Sequence, residues 1–368
     1  MGTLTSSIPK AWVIGLGLIG GSIALALKES GYIVSGTDLD KEREQAAIQL
    51  NLIDRAEPDF EADIIFIATL ASGVVSTFNS ISDKIRSDAL VTDVASVKNK
   101  IAEQILDPRF IGGHPMAGSE KIGPDNAISS MFVGAYWVLT PQEFTPMDIY
   151  SELTKTIRSV FKAEPIALSP KEHDNFVALV SHVPYLTAVS LMNLASKGSK
   201  QEQPLLKLAA GGFRDMTRIA SGSPNIWPDI CLQNSDEISN VLGDLIAYLD
   251  HLKIQIENKN KDLILEELRS AQSGREGLLK SRLKPSALAE IRIQVEDRPG
   301  ELLNILAVAK SLNVNIEDLQ LSHGLTEDGS IKTAGTLRLI VDLKDGEKLA
   351  DFLSERNYIT VLESEAIL

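Results

Sequence analysis

His114 stands in the run Ile111-Gly112-Gly113-His114-Pro115-Met116-Ala117-Gly118-Ser119-Glu120, an imidazole between backbone-permissive residues. An imidazole titrates near pH 6.5, so it can take the proton of an alcohol at neutral pH while hydride leaves the same carbon. The hydride acceptor is foreshadowed upstream. Gly15-Leu16-Gly17-Leu18-Ile19-Gly20 follows the apolar run Ala11-Trp12-Val13-Ile14 and leads into Ser22-Ile23-Ala24-Leu25-Ala26-Leu27, which reads as strand, glycine turn and helix. Gly15 permits the tight turn, Gly17 lets the backbone approach a pyrophosphate, and Gly20 lets helix and strand pack closely. The phosphates sit at the unpaired N–H groups of the helix start, around Leu18 and Ile19. A second strand, 33–36, ends at Thr37-Asp38. Asp38 is placed to accept hydrogen bonds from a ribose 2′-hydroxyl and to repel a 2′-phosphate, so NAD is expected over NADP.

Those residues need elements to hold them. From residue 12 to about 166, short apolar strands at 63–68, 90–94, 110–112 and 135–139 alternate with amphipathic helices, the pattern of a mostly parallel, doubly wound Rossmann-type α/β sheet. Beyond Ser169-Pro170 the strand signals vanish. The runs 176–194, 205–218, 229–256 and 259–279 carry apolar residues at helical spacing, which predicts an all-α segment. Such a segment must bury its faces, and a second copy of the chain is the economical partner, so a homodimer is expected. The charged, proline-marked Ser281-Arg282-Leu283-Lys284-Pro285 then leads to a third unit. Strand 291–295, helix 302–312, strands 314–321 and 335–341, helix 346–356 and strand 358–362 give the βαββαβ order of a ferredoxin-like fold. The expected domains are 8–168, 169–284 and 288–368.

Composition excludes several classes. The 368 residues are 44% hydrophobic, enough for ordinary cores, and carry a formal net charge of -14. Without a basic stripe the chain is unsuited to nucleic acid, and an anionic substrate needs locally placed arginines. A single cysteine, Cys231, rules out an internal disulfide and suits a reducing cytoplasm. The first ten residues lack a signal-peptide pattern and no apolar run reads as transmembrane, so a cytoplasmic protein without a membrane partner is expected.

The glycine fingerprint, Asp93-Val94-Ala95-Ser96-Val97-Lys98, Gly113-His114-Pro115-Met116-Ala117-Gly118, Ser181-His182-Val183-Pro184 and Gly211-Gly212-Phe213-Arg214-Asp215-Met216-Thr217-Arg218 together resemble the prephenate dehydrogenase family, over residues 10 to about 285. The tail, with Asp297-Arg298-Pro299-Gly300-Glu301-Leu302 and Val314-Asn315-Ile316, resembles an ACT domain, a small amino-acid-sensing module. The resemblance implies NAD-dependent oxidative decarboxylation of prephenate to 4-hydroxyphenylpyruvate on the route to tyrosine, with tyrosine as the tail's expected effector. It makes His114 the base and Ser96 the serine that hydrogen-bonds both the histidine and the substrate hydroxyl beside the cofactor. Arg218 matches the substrate-binding arginine, whose planar guanidinium suits bidentate capture of a carboxylate. Arg214 and Arg218 are expected on one helical face with Asp215 beside them. Gly211 and Asp215 match site positions, and Glu120 matches a carboxylate at the pocket mouth. Trp227 matches an aromatic that reaches the partner subunit's site, or else packs in the dimer core. Thr69 lies in the turn under the cofactor, where Leu70 replaces a proline common in the family.

One departure bears on the substrate. In Ser181-His182-Val183-Pro184-Tyr185, many relatives carry a histidine where this chain has Tyr185. His182 and Tyr185 share a helical face, and a phenol can still donate to a substrate carboxylate. The change leaves open both prephenate, with a keto acid side chain, and arogenate, with an amino acid side chain. Two other readings are weaker. A β-hydroxyacid-type dehydrogenase relies on a lysine in the helix after the nucleotide domain, and 176–194 contains none. A nucleotide-sensing regulator has no need of Ser96, His114 and Arg218 together.

Overall fold

The computed structural model describes residues 8–119, 121–199, 211–282, 288–296, 298–325 and 331–363. Its contacts divide the chain into two compact units, Met1–Tyr248 and Leu249–Leu368.

The first unit is built on β1 (Lys10–Ile14), α1 (Leu18–Glu29), β2 (Ile33–Thr37), α2 (Lys41–Gln49), β3 (Ile64–Ile67), α3 (Ala71–Ile81), β4 (Leu90–Asp93), α4 (Asn99–Ala102), β5 (Phe110–Pro115), β6 (Tyr136–Thr140), α5 (Met147–Ser159) and β7 (Glu164–Ala167). The seven strands lie in the order β2-β1-β3-β4-β5-β6-β7, all pairs parallel except β5 with β6. Strands covered on both faces read as unbroken apolar runs, and β3 is the example: Ile64 and Phe66 enter the core on one face, Ile65 and Ile67 the core on the other. Successive strands depart from β1 in opposite directions. The crevice beyond the carboxyl ends of β1 and β3 is where doubly wound sheets place ligands.

Two differences from the sequence reading concern this sheet. Strand β5 runs on through His114 and Pro115, pairing His114 with Val138, so His114 sits on a strand end rather than in a loop. Its glycines are there for close approach: a Cβ on Gly112 would lie 2.3 Å from Thr140 Oγ1, and one on Gly113 2.7 Å from the Asp93 carbonyl oxygen. The edge strand β7 shows no apolar run because it is mostly exposed, and it carries Pro165, which edges tolerate.

The chain continues with α6 (Pro170–Val177), a single π-helical turn (Ala178–His182) and α7 (Val183–Ser199), then α8 (Gly211–Thr217), a 3₁₀ turn (Arg218–Ser221), α9 (Trp227–Gln233) and α10 (Ser235–Glu257). The expected single helix over 229–256 is broken at Asn234. Its side-chain amide leaves the helix surface to donate to the Asp174 backbone carbonyl at 2.8 Å. Arg218 likewise opens the 3₁₀ turn instead of sharing a regular helix with Arg214. Contrary to the sequence reading, the continuous stretch Pro170–Lys197 is long and apolar enough to cross a membrane by length and composition. A third of its most apolar window is buried: Ala178 and Val183 pack into the second core of the sheet, and the polar His173, Asp174 and His182 are buried as well.

The second unit contains α11 (Lys261–Arg282), then β8 (Leu288–Glu296), α12 (Glu301–Ser311), β9 (Ile316–Leu325), β10 (Ile331–Asp342), α13 (Leu343–Ser354) and β11 (Ile359–Glu363). The antiparallel sheet has the order β11-β8-β10-β9, the ferredoxin-like arrangement expected from the element order. Ile291, Ile293, Val295, Leu337, Leu339 and Val341 form its core with Ile305, Leu349 and Leu353 from the helices. On β8 the buried Glu290 is held between Arg292 and Arg338, each at 2.7 Å. The two guanidiniums outweigh its burial and keep its carboxyl below the usual range.

Candidate active site

The glycine turn has the shape a pyrophosphate requires. Gly15 takes φ +100°, and a Cβ there would strike the Ala68 carbonyl at 2.4 Å, while a Cβ on Gly20 would lie 1.8 Å from the Gly15 carbonyl oxygen. Around Gly17 the space is open. Helix α1 starts there without a capping side chain or an acidic residue in its first turn, which leaves the N–H groups at Leu18 and Ile19 for an anion. Asp38 closes the far side: its Oδ2 accepts the Leu16 N–H at 2.7 Å and its Oδ1 the Asp40 N–H at 2.9 Å. One carboxylate thus braces the glycine turn. Thr69 is half-buried at the end of β3, and its hydroxyl donates to the Leu70 carbonyl at 3.1 Å.

At the carboxyl ends of β4 and β5, polar groups converge on His114. Its Nδ1 lies 2.8 Å from Nε2 of the fully buried His173, whose Nδ1 lies 2.7 Å from Asp174 Oδ1. Asp174 also accepts the backbone N–H groups of Lys98 at 2.7 Å and Asn99 at 2.8 Å. Beneath His114, the buried Lys98 ammonium pairs with Asp93, which further accepts the N–H groups of Ala95 and Gly113 at 3.0 and 3.1 Å. Burial pushes Lys98 below its ordinary value against the hold of Asp93. His114 is pushed well below the ordinary imidazole value by burial first, then by His173, Lys98 and His182. It is therefore a neutral base, partly exposed, at neutral pH.

Ser96 is half-buried in the loop after β4. Among the described residues no hydrogen bond joins it to His114, whose Nδ1 faces His173 instead. The π-helical turn carries Ser181 and His182. Such turns widen a helix locally and recur at functional sites. His182 is buried, with Nδ1 3.3 Å from the Asn234 amide and Nε2 without a hydrogen-bond partner among the described residues. Tyr185 stacks on Trp227 with ring planes 3° apart and centroids at 3.5 Å, and Trp227 meets His182 edge-on at 6.1 Å. Trp227 thus packs on its own chain's Tyr185. Arg214, Asp215 and Arg218 are exposed, as is Gly211 at the start of α8. The turn that Arg218 opens lies against α7, and a Cβ on Gly222 just after it would lie 3.7 Å from the Tyr185 ring. Glu120 and the stretch 200–210 lie outside the described residues.

His182 gives a measurable sign. Unfolded, its imidazole takes a proton near pH 6.5. Folded, burial holds it neutral down to about 4. Between these values the unfolded chain binds more protons, so stability is lost as pH falls through that window, by about 1.4 kcal/mol per pH unit for this group. The thermal midpoint should drop from pH 6.5 to 4.5, and His182→Gln should shrink the drop. Parallel curves for the two proteins would remove His182 from the acid sensitivity.

Two family models cover this arrangement: the prephenate dehydrogenase nucleotide-binding domain matches residues 23–163, and the prephenate dehydrogenase dimerization domain matches 169–270. A prephenate dehydrogenase of Bacillus subtilis is 34% identical over 352 residues, covering 92% of this chain and 93% of its own. The chain belongs to the prephenate dehydrogenase family. Among solved structures, the Aquifex aeolicus prephenate dehydrogenase in complex with hydroxyphenyl propionate and NAD⁺ superposes with a TM-score of 0.70 at 29% identity, covering 74% of this chain and 99% of that one. The Synechocystis arogenate dehydrogenase superposes with a TM-score of 0.64 at 32% identity, covering 73% and 99%. The prephenate dehydrogenase models end at residue 270, before the second unit's sheet.

The residues behind His114 were not singled out from sequence. Lys98 and Asp93 stand in the same quoted run as Ser96, and a lysine beside apolar residues at a strand end was the available signal. His173 and Asp174 lie 59 and 60 positions from His114, and only the fold brings them there.

Proposed function

We propose that this chain is an NAD-dependent prephenate dehydrogenase that oxidatively decarboxylates prephenate to 4-hydroxyphenylpyruvate. The observation that carries the reading is His114, a neutral base at the strand ends of a dinucleotide sheet. His114 Nε2 accepts the proton of the ring hydroxyl. Bound at the glycine turn and Asp38, NAD supplies the hydride acceptor. As the carboxylate on the ring leaves as CO₂, its electron pair enters the ring, which becomes aromatic, and the former carbonyl oxygen takes the proton back from His114. Ser96, half-buried in the loop between β4 and α4, holds the hydroxyl in this reading. Arg218 holds a substrate carboxylate, with Gly211, Asp215, Ser181, His182 and Tyr185 around it, Trp227 stacked behind Tyr185, and Glu120 at the mouth. NADH formation on adding prephenate tests the reading, and no turnover with a correctly folded protein would end it.

Arogenate is the second reading, favoured by Tyr185. A phenol, which burial pushes up and keeps protonated, donates to the side chain's carboxylate without adding a cation near its amino group. Comparing kcat/KM for the two substrates decides between them.

Asp38 predicts cofactor choice. Asp38→Ala should raise the KM for NAD and, with an arginine introduced nearby, move preference towards NADP, since repulsion of the 2′-phosphate is gone. Equal use of both cofactors by the unsubstituted enzyme would refute the assignment.

The chain is proposed to be organised as an NAD-binding domain (8–168), a helical dimerisation and substrate domain (169–284) and an ACT domain (288–368), acting as a cytoplasmic homodimer. Exposed apolar side chains along α10, among them Ile246, Leu249 and Ile254, support the dimer. The βαββαβ sheet supports the ACT assignment, with Gly300 at φ +92° opening α12 without a side-chain cap. Asp297 of the proposed effector turn lies outside the described residues. Tyrosine as effector requires a coupling of about 1–3 kcal/mol between the two sites. A chain ending after about Leu283 should keep dehydrogenase activity and lose inhibition by tyrosine. Full inhibition of that truncated enzyme would place tyrosine at the active site instead.

A further inference from the structure

We infer that His173 and Asp174 are positioning residues that lock His114 in the tautomer with Nδ1 protonated and Nε2 bare, so that Nε2 is the proton acceptor. The inference rests on the reading of His114 as the base.

The argument runs inward to outward along one chain of hydrogen bonds. Asp174 accepts from two backbone N–H groups, those of Lys98 and Asn99. A carboxylate in that role can only accept, so the His173 nitrogen 2.7 Å from its Oδ1 carries a proton. In neutral His173 the other nitrogen, Nε2, then has a lone pair. It lies 2.8 Å from His114 Nδ1, and two N–H groups cannot face each other at that distance. His114 Nδ1 must be the donor. Neutral imidazole carries one proton, so the lone pair of His114 falls on Nε2, which has no hydrogen-bond partner within the described residues and belongs to a partly exposed side chain.

In the resting enzyme His173 acts as a neutral lock on the His114 ring. It is fully buried, and burial together with nearby Lys98 outweighs Asp174 and Asp93, leaving its imidazole harder to charge than usual. A proton taken at Nε2 charges the His114 ring, whose Nδ1–H then donates more strongly to His173. The groups facing His114 are His173, Lys98 and His182, and of these His173 is the one that hydrogen-bonds it among the described residues. The arrangement parallels the serine-protease carboxylate that orients its histidine, with an imidazole interposed.

The test needs no substrate at first. In the full chain labelled with ¹⁵N-histidine, long-range proton–nitrogen correlations should show His114 protonated at Nδ1 and bare at Nε2 at neutral pH, with the signals assigned by their loss in His114→Asn. Protonation at Nε2 would overturn the inference whatever the substrate proves to be. The second step separates a lock from a space filler. His173→Leu removes the acceptor, whereas His173→Gln keeps a donor for Asp174 and an acceptor for His114. His173→Leu should lower kcat at least roughly 10-fold, towards the 10⁴-fold that a wrong tautomer costs, with the KM for substrate nearly unchanged. His173→Gln should recover most of that loss. Unchanged kcat in a folded His173→Leu protein, or equal losses in the two variants, would overturn it. If His173→Leu does not fold, the nitrogen spectrum of the unsubstituted protein decides alone.

Discussion

His114→Asn should lower kcat by roughly 10²- to 10⁴-fold while leaving NAD affinity unchanged, because it removes a general base and touches nothing at the glycine turn. Asparagine retains a polar side chain beside His173, so the buried Lys98–Asp93 and His173–Asp174 pairs stay covered and the loss reads on chemistry. The pH profile supplies the second half of the prediction. A base is active once deprotonated, and burial with two neighbouring imidazoles and Lys98 holds His114 well below the ordinary value. The acid limb of kcat/KM should therefore lie below about pH 6.5, and the limb should vanish in the residual activity of His114→Asn. Near-normal turnover of the variant, or an acid limb above 6.5 in the parent enzyme, would take His114 out of the mechanism.

How much of this could be read from sequence follows from where each signal is local. The sheet was legible because parallel strands buried on both faces become continuous apolar runs such as Ile64-Ile65-Phe66-Ile67. The C-terminal order was legible because Ile291, Ile293 and Val295 alternate with polar neighbours over a single covered face. The phosphate turn was legible because its glycines answer to steric demands within one loop. Long-range polar contacts leave no such trace. Asn234 breaks a helix that periodicity joins, because its amide is needed at Asp174, and nothing around His173 in the sequence points to His114. The glycines before His114 read only as backbone-permissive, whereas their missing side chains make room for Asp93 and Thr140 across the sheet. A sequence motif shows what must be small and does not show against what.

Arg218→Ala should raise the KM for prephenate by about 30- to several-hundred-fold, the equivalent of about 2–4 kcal/mol for a carboxylate deprived of a charge-assisted bidentate contact. The choice between the two arginines of this segment rests on their surroundings. Arg214 is engaged by an interaction within the chain. Arg218 makes no ion pair with the described residues, and it opens a turn that lies against α7, near the ring of Tyr185. The proposed carboxylate site is therefore beside the stretch of α7 that carries Tyr185. Since the contact forms in the bound ground state as well as in the transition state, the loss should fall on KM more than on kcat. Arg218→Lys should recover only part of it, because an ammonium keeps the charge and loses the planar fork. The KM for NAD should stay within a few-fold, as Asp38 and the glycine turn are untouched. If Arg218→Ala leaves the KM for prephenate unchanged, the carboxylate is held elsewhere, and Arg214 becomes the residue to replace.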